Sequence, residues 1–326
     1  MAKRKSKNLL VLDGTLTSVD RNHKTMFSRQ AEKKHILFVC LVLFVIAVLV
    51  LLTTQGMISF CISLQDETEI PGQTDVPIQK FGDDDALTVV WLKLADDGVG
   101  VEHVILTRYE PSEDLVYLTP MPPQLSAGER TLAGYYAVGG GRAVADVLSQ
   151  TLGIEKVYYS TIDYNGIKSL VSEFGGVTID LPCSINYTDP DGRKSINVAA
   201  GKRVFEGGET ARLLNCPQWP EGVNQQRMMY TKVFAGLINE NLIPKRADAI
   251  DKLFGRVTPH IKTDVTMDVI QKCSGGFSHL ATVNENGSIA LIMEIGTYID
   301  ANGAIRCSGD SFENMKILYG DRKQQA

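Results

Sequence analysis

Past residue 85, apolar positions fall into short alternating runs separated by turn residues. "ALTVVWLKLA", "EHVILTRYE" and "DLVYLTP" read as strands, and "PSED" joins the last two as a hairpin. The period then changes: in "GGGRAVADVLSQTLG", Val144, Val147, Leu148 and Leu152 recur at helical spacing. "KVYYSTID" returns to strand, "YNGIKSLVSEF" to helix and "GGVTIDL" to strand. That order predicts an α/β domain, a central mixed β-sheet flanked by helices. "SINYTDPDGRKSINVAAGK" is a polar excursion rich in turn chemistry, and "GGETARLL" is a short helix. Tyr230, Val233, Phe234, Leu237 and Ile238 form one face of a longer helix. "ADAIDKLFGRV" and "VTMDVIQKC" are helical in pattern. A closing hairpin of "SIALIMEI" with "GTYIDANGAIRC" turns at Asn302 and Gly303, before a final helix in "DSFENMKILYG".

One stretch fits neither period. Ile36 to Leu52, "ILFVCLVLFVIAVLVLL", carries no polar side chain and continues into semi-apolar sequence, long enough to cross a bilayer as a helix. Charge is distributed around it unevenly. Residues 1–35 hold nine bases against three acids, a surplus of +6, and the rest holds 24 bases against 35 acids, which gives the whole chain its −5. The positive-inside rule therefore expects a cytoplasmic basic tail (1–35) and one transmembrane helix (36–56). It expects an extracellular linker (57–84) and an extracellular domain (85–326) beyond that, in the cell membrane as a single-pass protein. A cleaved signal peptide is the alternative. The long basic leader, the length of the apolar run and the lack of a small-x-small cleavage site favour a retained anchor.

Of six cysteines, Cys183, Cys216, Cys273 and Cys307 lie in the exported part, an even number where disulfides are permitted. Connectivity stays open. Cys273 with Cys307 and Cys183 with Cys216 are the preferred pairs, because each would tie neighbouring parts of one subregion; four buried thiols are the alternative. The five scattered histidines and the absence of a CxxC pair give no zinc pattern. No DNA-binding motif appears, and the basic tail is too short for a helix-turn-helix domain, so no nucleic-acid partner is expected.

"LGIEKVYYSTIDYNGIKSLVSEFGGVTIDLP", Leu152 to Pro182, resembles the signature of the LytR-CpsA-Psr family of cell-envelope proteins. "YYAVGG" at Tyr135, "FEGGETARLL" at Phe205 and the closing "GTYIDANGAIRC" are similar to family phrases in the same order. The resemblance implies an extracellular α/β domain that moves a glycopolymer from a polyprenyl-pyrophosphate carrier to peptidoglycan. It implies arginines for the pyrophosphate, acids for a divalent metal such as magnesium, and an apolar groove for the lipid. Guanidinium forks suit that task because they meet phosphate oxygens bidentately.

This chain departs from that pattern at the charged positions. "TPMPPQ" stands where the family has an arginine and an acid, which fall on Pro123 and Gln124. Thr131 and Ala133 replace a lysine and an amide; Asn215 and Pro217 replace two arginines; Asn224 replaces another. Arg227 survives as a candidate phosphate contact, and Glu102 and Glu221 as candidate metal ligands if they converge. Arg108, Arg130, Arg142 or Arg212 could compensate by entering the site from other directions. Asp163, Asp180, Gly175 and Gly176 match the signature but read as fold residues. Trp219 in "CPQWPEG" either caps the groove or buries itself. The faces Val144, Val147, Leu148 and Phe234, Leu237, Ile238 could line a lipid groove or be ordinary core.

The expectation is a membrane-anchored, non-catalytic binding or scaffolding member at the bacterial cell envelope, a pseudoenzyme whose partners are the membrane and a polyprenyl-linked glycopolymer or peptidoglycan. Magnesium would be a cofactor only of an active site. The runner-up is an active phosphotransferase with a rearranged site, and the third reading a membrane-bound transcriptional attenuator.

Overall fold

The computed structural model describes residues 80–96, 98–192 and 195–320. The basic tail, the expected membrane helix at 36–56 and the linker up to residue 79 lie outside them. No helix among the described residues is long and apolar enough to cross a membrane.

Three antiparallel strands form the centre: β1 (Leu87–Leu94), β2 (Val101–Glu110) and β3 (Leu115–Met121). Their alternation serves two faces. Leu87, Val89, Ile105, Val116 and Leu118 point into one core, and Val90, Leu92, Val104, Leu106 and Tyr117 into another. Both faces are covered, so the strands read as nearly continuous apolar runs.

A small ribbon, β4 (Ser126–Ala127) with β5 (Arg130–Thr131), leads into helix α1 (Leu132–Leu152). The Thr131 hydroxyl caps α1 by accepting from Gly134 N at 3.0 Å. The expected helix thus begins earlier than its apolar stripe, and it kinks at Gly139 and Gly140. Gly140 sits at φ 64°, ψ −157°, a conformation that an L side chain rarely adopts. Strand β6 (Tyr158–Ile162) returns parallel to β1.

Helix α2 (Tyr164–Glu173) is capped by Asp163, whose carboxylate accepts from Gly166 N at 2.7 Å. It ends in Gly175–Gly176 before β7 (Val177–Leu181). Gly176 holds φ 107°, and a Cβ there would stand 2.8 Å from Val204 Cγ1, so these signature residues do serve the fold. The polar excursion is a hairpin, β8 (Ile185–Thr188) with β9 (Ser195–Val198), followed by β10 (Gly201–Phe205), which takes β7 as its antiparallel partner away from the main sheet.

Next come α3 (Gly207–Leu214), α4 (Val223–Asn241), α5 (Ile250–Val257), β11 (Lys262–Thr263), α6 (Met267–Lys272) and α7 (Ser274–Ala281). The closing hairpin differs from its expected form. "SIALIMEI" supplies β12 (Ala290–Ile292), which runs parallel to β3 and covers an edge that would otherwise expose unpaired backbone groups. The hairpin lies wholly within the next segment, β13 (Thr297–Ile299) with β14 (Ile305–Cys307), turning at Asn302 and Gly303. Helix α8 (Gly309–Tyr319) ends the described chain.

Among the described residues the main sheet thus has six strands in the order β11-β6-β1-β2-β3-β12. Residues of α2, α4, α5 and α7 share one core with it, and residues of α1 and α8 the other. Val144, Val147 and Leu148 are ordinary core on the α1 side.

The expected disulfides are not formed. Cys183, Cys216, Cys273 and Cys307 are free thiols. Cys273 lies in the first core and Cys307 packs against the second, so the sheet separates them. Cys183 receives a hydrogen bond from Gln225 Nε2 at 3.1 Å, while Cys216 donates to the Gln218 carbonyl at 3.2 Å.

Candidate functional site

Along one face of β1, Leu87, Val89, Trp91 and Lys93 follow at a spacing of two residues. The first three line an apolar cavity of about 150 Å³ between the sheet and helices α2, α4, α5, α6 and α7. Leu170, Phe234, Leu237, Ile238, Phe254 and Phe277 supply much of its wall. The Trp91 ring lies 5.1 Å from that of Phe234, and its buried Nε1 has no hydrogen-bond partner.

The fourth position carries a charge instead. Lys93 is only 2% exposed; its ammonium meets the Glu102 carboxylate and lies 3.8 Å from Asp96 Oδ1. Successive inward positions on a strand are about 7 Å apart, so Lys93 follows Trp91 on the same face of β1 at that spacing.

Directly across the ladder from Lys93 is His103. Its ring stacks on Tyr230 of α4 at 3.9 Å between centroids, and its Nδ1 has no partner. The Tyr230 hydroxyl donates to Asn215 Oδ1 at 3.1 Å, and Asn215 Nδ2 donates to Asp96 Oδ1 at 3.0 Å, closing the cluster. Burial pushes the phenol of Tyr230 well up, with Glu102 and Asp96 adding to it. Arg227, three residues before Tyr230 on α4, donates to Asn224 Oδ1 at 2.6 Å. Burial lowers its pKa, and Glu294 opposes that.

His103 is pushed down to about 3, first by burial, then by Lys93 and Arg227. Unfolded, the imidazole takes its proton near 6.5. Between those values the unfolded chain binds more protons, so this contribution is fully present above pH 6.5 and is lost as pH falls toward 3. Urea unfolding should show on the order of 2 kcal/mol less stability at pH 5 than at pH 7.5 from this group. His103→Phe keeps the stack on Tyr230 and should flatten that part of the slope; an unchanged slope would remove His103 as its source.

Of the expected site residues, Glu102, Asn215, Arg227 and Asn224 come together here. Lys93, Asp96, His103 and Tyr230 join them without having been anticipated. The one signal for Lys93 was its parity, a charge at an inward position of an apolar strand. Glu221 is exposed in the loop before α4, where its backbone N–H donates to Gln225 Oε1 at 3.0 Å. Among the described residues, no three His, Cys, Asp or Glu side chains converge as a ligand set. With Glu102 engaged by an ammonium, the described residues do not fit a divalent metal.

The substituted positions have backbone duties instead. Pro123 is buried and its carbonyl accepts from Ala133 N at 2.8 Å, so the strand end folds back onto the start of α1. Thr131 is the cap of that helix, while Gln124 and Pro217 are exposed. Trp219 is 7% exposed and belongs to the first core.

The other arginines are held elsewhere. Arg108 is buried, with Nε 2.7 Å from Glu110 Oε2 and Nη1 3.0 Å from the Tyr319 carbonyl. Six residues of strand, about 20 Å, separate it from Glu102. Arg142 pairs with Asp264 at 3.1 Å, Arg212 donates to the Gly208 carbonyl at 3.3 Å, and Arg130 is exposed on β5.

The model of the LytR_cpsA_psr family matches residues 119–316. Among curated proteins, an uncharacterized protein of Staphylococcus aureus is 21% identical over 231 residues, covering 64% of this chain and 57% of its own length. The polyisoprenyl-teichoic acid–peptidoglycan teichoic acid transferase TagV of Bacillus subtilis is 23% identical over 172 residues, covering 50% of this chain and 44% of its own. The chain therefore spans about half the length of the curated relatives it matches. A crystal structure from Eubacterium siraeum superposes with a TM-score of 0.66 at 15% identity, covering 76% of this chain and 95% of that one. That of TagV does so with a TM-score of 0.57 at 14% identity, covering 72% and 95%. At these identities the superpositions establish a shared fold.

Proposed function

The chain belongs to the LytR_cpsA_psr family, and from that premise we propose that it is a membrane-anchored, extracellular member that holds a polyprenyl-linked envelope glycopolymer without transferring it. The name of TagV supplies the substrate class, a polyisoprenyl-linked teichoic acid delivered to peptidoglycan. The observation that carries the reading is the apolar cavity along β1, together with a buried ammonium, two residues beyond Trp91 on that strand, that a carboxylate already neutralises.

A mostly apolar cavity of this size admits a benzene-sized hydrocarbon, so it suits part of an isoprenoid tail. Burying one five-carbon unit contributes on the order of 4 kcal/mol before ordering costs. The headgroup has less to gain. Each charge-assisted hydrogen bond contributes about 1.5 to 3 kcal/mol, and Arg108, Arg142 and Arg212 spend theirs on other partners. Lys93 and Arg227 stand among Asp96, Glu102 and Glu294, which leaves no surplus of positive charge.

The full chain in detergent should bind geranylgeraniol and geranylgeranyl diphosphate with Kd values within about tenfold of each other. It should release no phosphate on added magnesium. Binding of neither lipid would sink the reading. Turnover, or a strong preference for the diphosphate, would instead support the second reading, an active phosphotransferase, which the partly buried guanidinium of Arg227 on α4 favours.

A further inference from the structure

Lys93 is the least expected member of the cluster, because a primary ammonium is almost never fully buried unless its charge is answered. Here it is answered twice on one side. Glu102, 43% exposed, meets it directly, and Asp96, 72% exposed, lies 3.8 Å away. Two carboxylates at neighbouring strand ends and open to solvent are what a hard divalent ion uses to bridge protein to phosphate. The space between them is filled by the protein's own cation.

We infer that Lys93 is the resident counter-ion of this site, standing in for a divalent metal, so that the wild-type cluster neither needs nor accepts one. The inference rests on the site proposed above but not on which lipid it holds. Geometry supports it from the remaining sides as well. Asn215 orients Asp96 through its amide, Tyr230 orients Asn215 in turn, and the uncharged faces of His103 and Tyr230 close the inner wall. The charge balance of the carboxylate pair thus belongs to the fold and not to the ionic composition of the medium.

Terbium tests this directly, because Tyr230 belongs to the cluster and would sensitise emission from a lanthanide bound there. The full chain should show no saturable terbium emission that Glu102→Gln removes. Lys93→Met, which keeps the chain's length and removes its charge, should gain saturable emission at least tenfold above wild type. Magnesium should displace it, and the additional change Glu102→Gln should abolish it. Wild-type emission that depends on Glu102 overturns the inference, as does a folded Lys93→Met chain that gains none. If Lys93→Met does not fold, the comparison of wild type with Glu102→Gln decides alone. No lipid enters the assay, so a failure of lipid binding leaves its outcome intact.

Discussion

Ile238→Trp should leave the domain folded and raise the Kd for geranylgeraniol roughly a thousandfold. The residue lies on the cavity wall formed by α4, where the void is large enough to receive part of an indole. Overpacking a filled core costs about 1 to 3 kcal/mol, but here the added ring enters empty apolar space and its own burial offsets that cost. The tail loses the same space. Excluding one five-carbon unit removes on the order of 4 kcal/mol, which is close to three decades of affinity. Thermal unfolding and a lipid titration on one preparation separate the two effects. An unchanged Kd in a folded variant would show that the tail binds elsewhere.

The second large effect is expected on the opposite face of the sheet from the cavity. Arg108 and Glu110 form an ion pair in which both side chains are less than 5% exposed, so Glu110→Ala should cost about 3 to 5 kcal/mol by leaving the guanidinium in the interior without its opposing charge. The double change Arg108→Met/Glu110→Leu should recover most of that loss, because well-packed apolar groups commonly replace a buried pair at little cost. Urea unfolding of the single and double variants measures both. If the double variant is as unstable as the single, the pair contributes through hydrogen bonds to Thr88 and Tyr319 and not through charge. Lipid affinity should stay at the parent value in whatever fraction folds, because Arg108 points to Tyr319 in the second core, on the face of the sheet away from the cavity.

Much of the scaffold could be read from periodicity. β1, β2, β3 and β6, with α1, α2, α4 and α8, follow apolar patterns that local physics fixes. β8 and β9 were missed although Ile185, Tyr187, Ile196 and Val198 alternate with polar neighbours, because each run is only four residues long, set in turn-rich sequence and mostly solvated. Pairing was harder still. β7 reads like a strand of the main sheet, and nothing local says that its partner is β10; β12 reads like half of a hairpin, and only the open edge of β3 decides otherwise. The site was half visible. The resemblance implied arginines at the positions of Pro123, Asn215 and Asn224, but the contact of Asn215 with Asp96 spans 119 residues and requires the fold. The meaning of Lys93 also waited on which face of β1 looks into the cavity.

The second core is sealed by the last residues described. Tyr319 sends its hydroxyl to the Leu106 carbonyl at 3.1 Å and lends its own carbonyl to Arg108, 211 positions earlier. A chain still leaving the ribosome cannot close that interface until α8 arrives. Premature termination near the C-terminus should therefore leave a sticky, protease-sensitive intermediate and not a shortened but working domain.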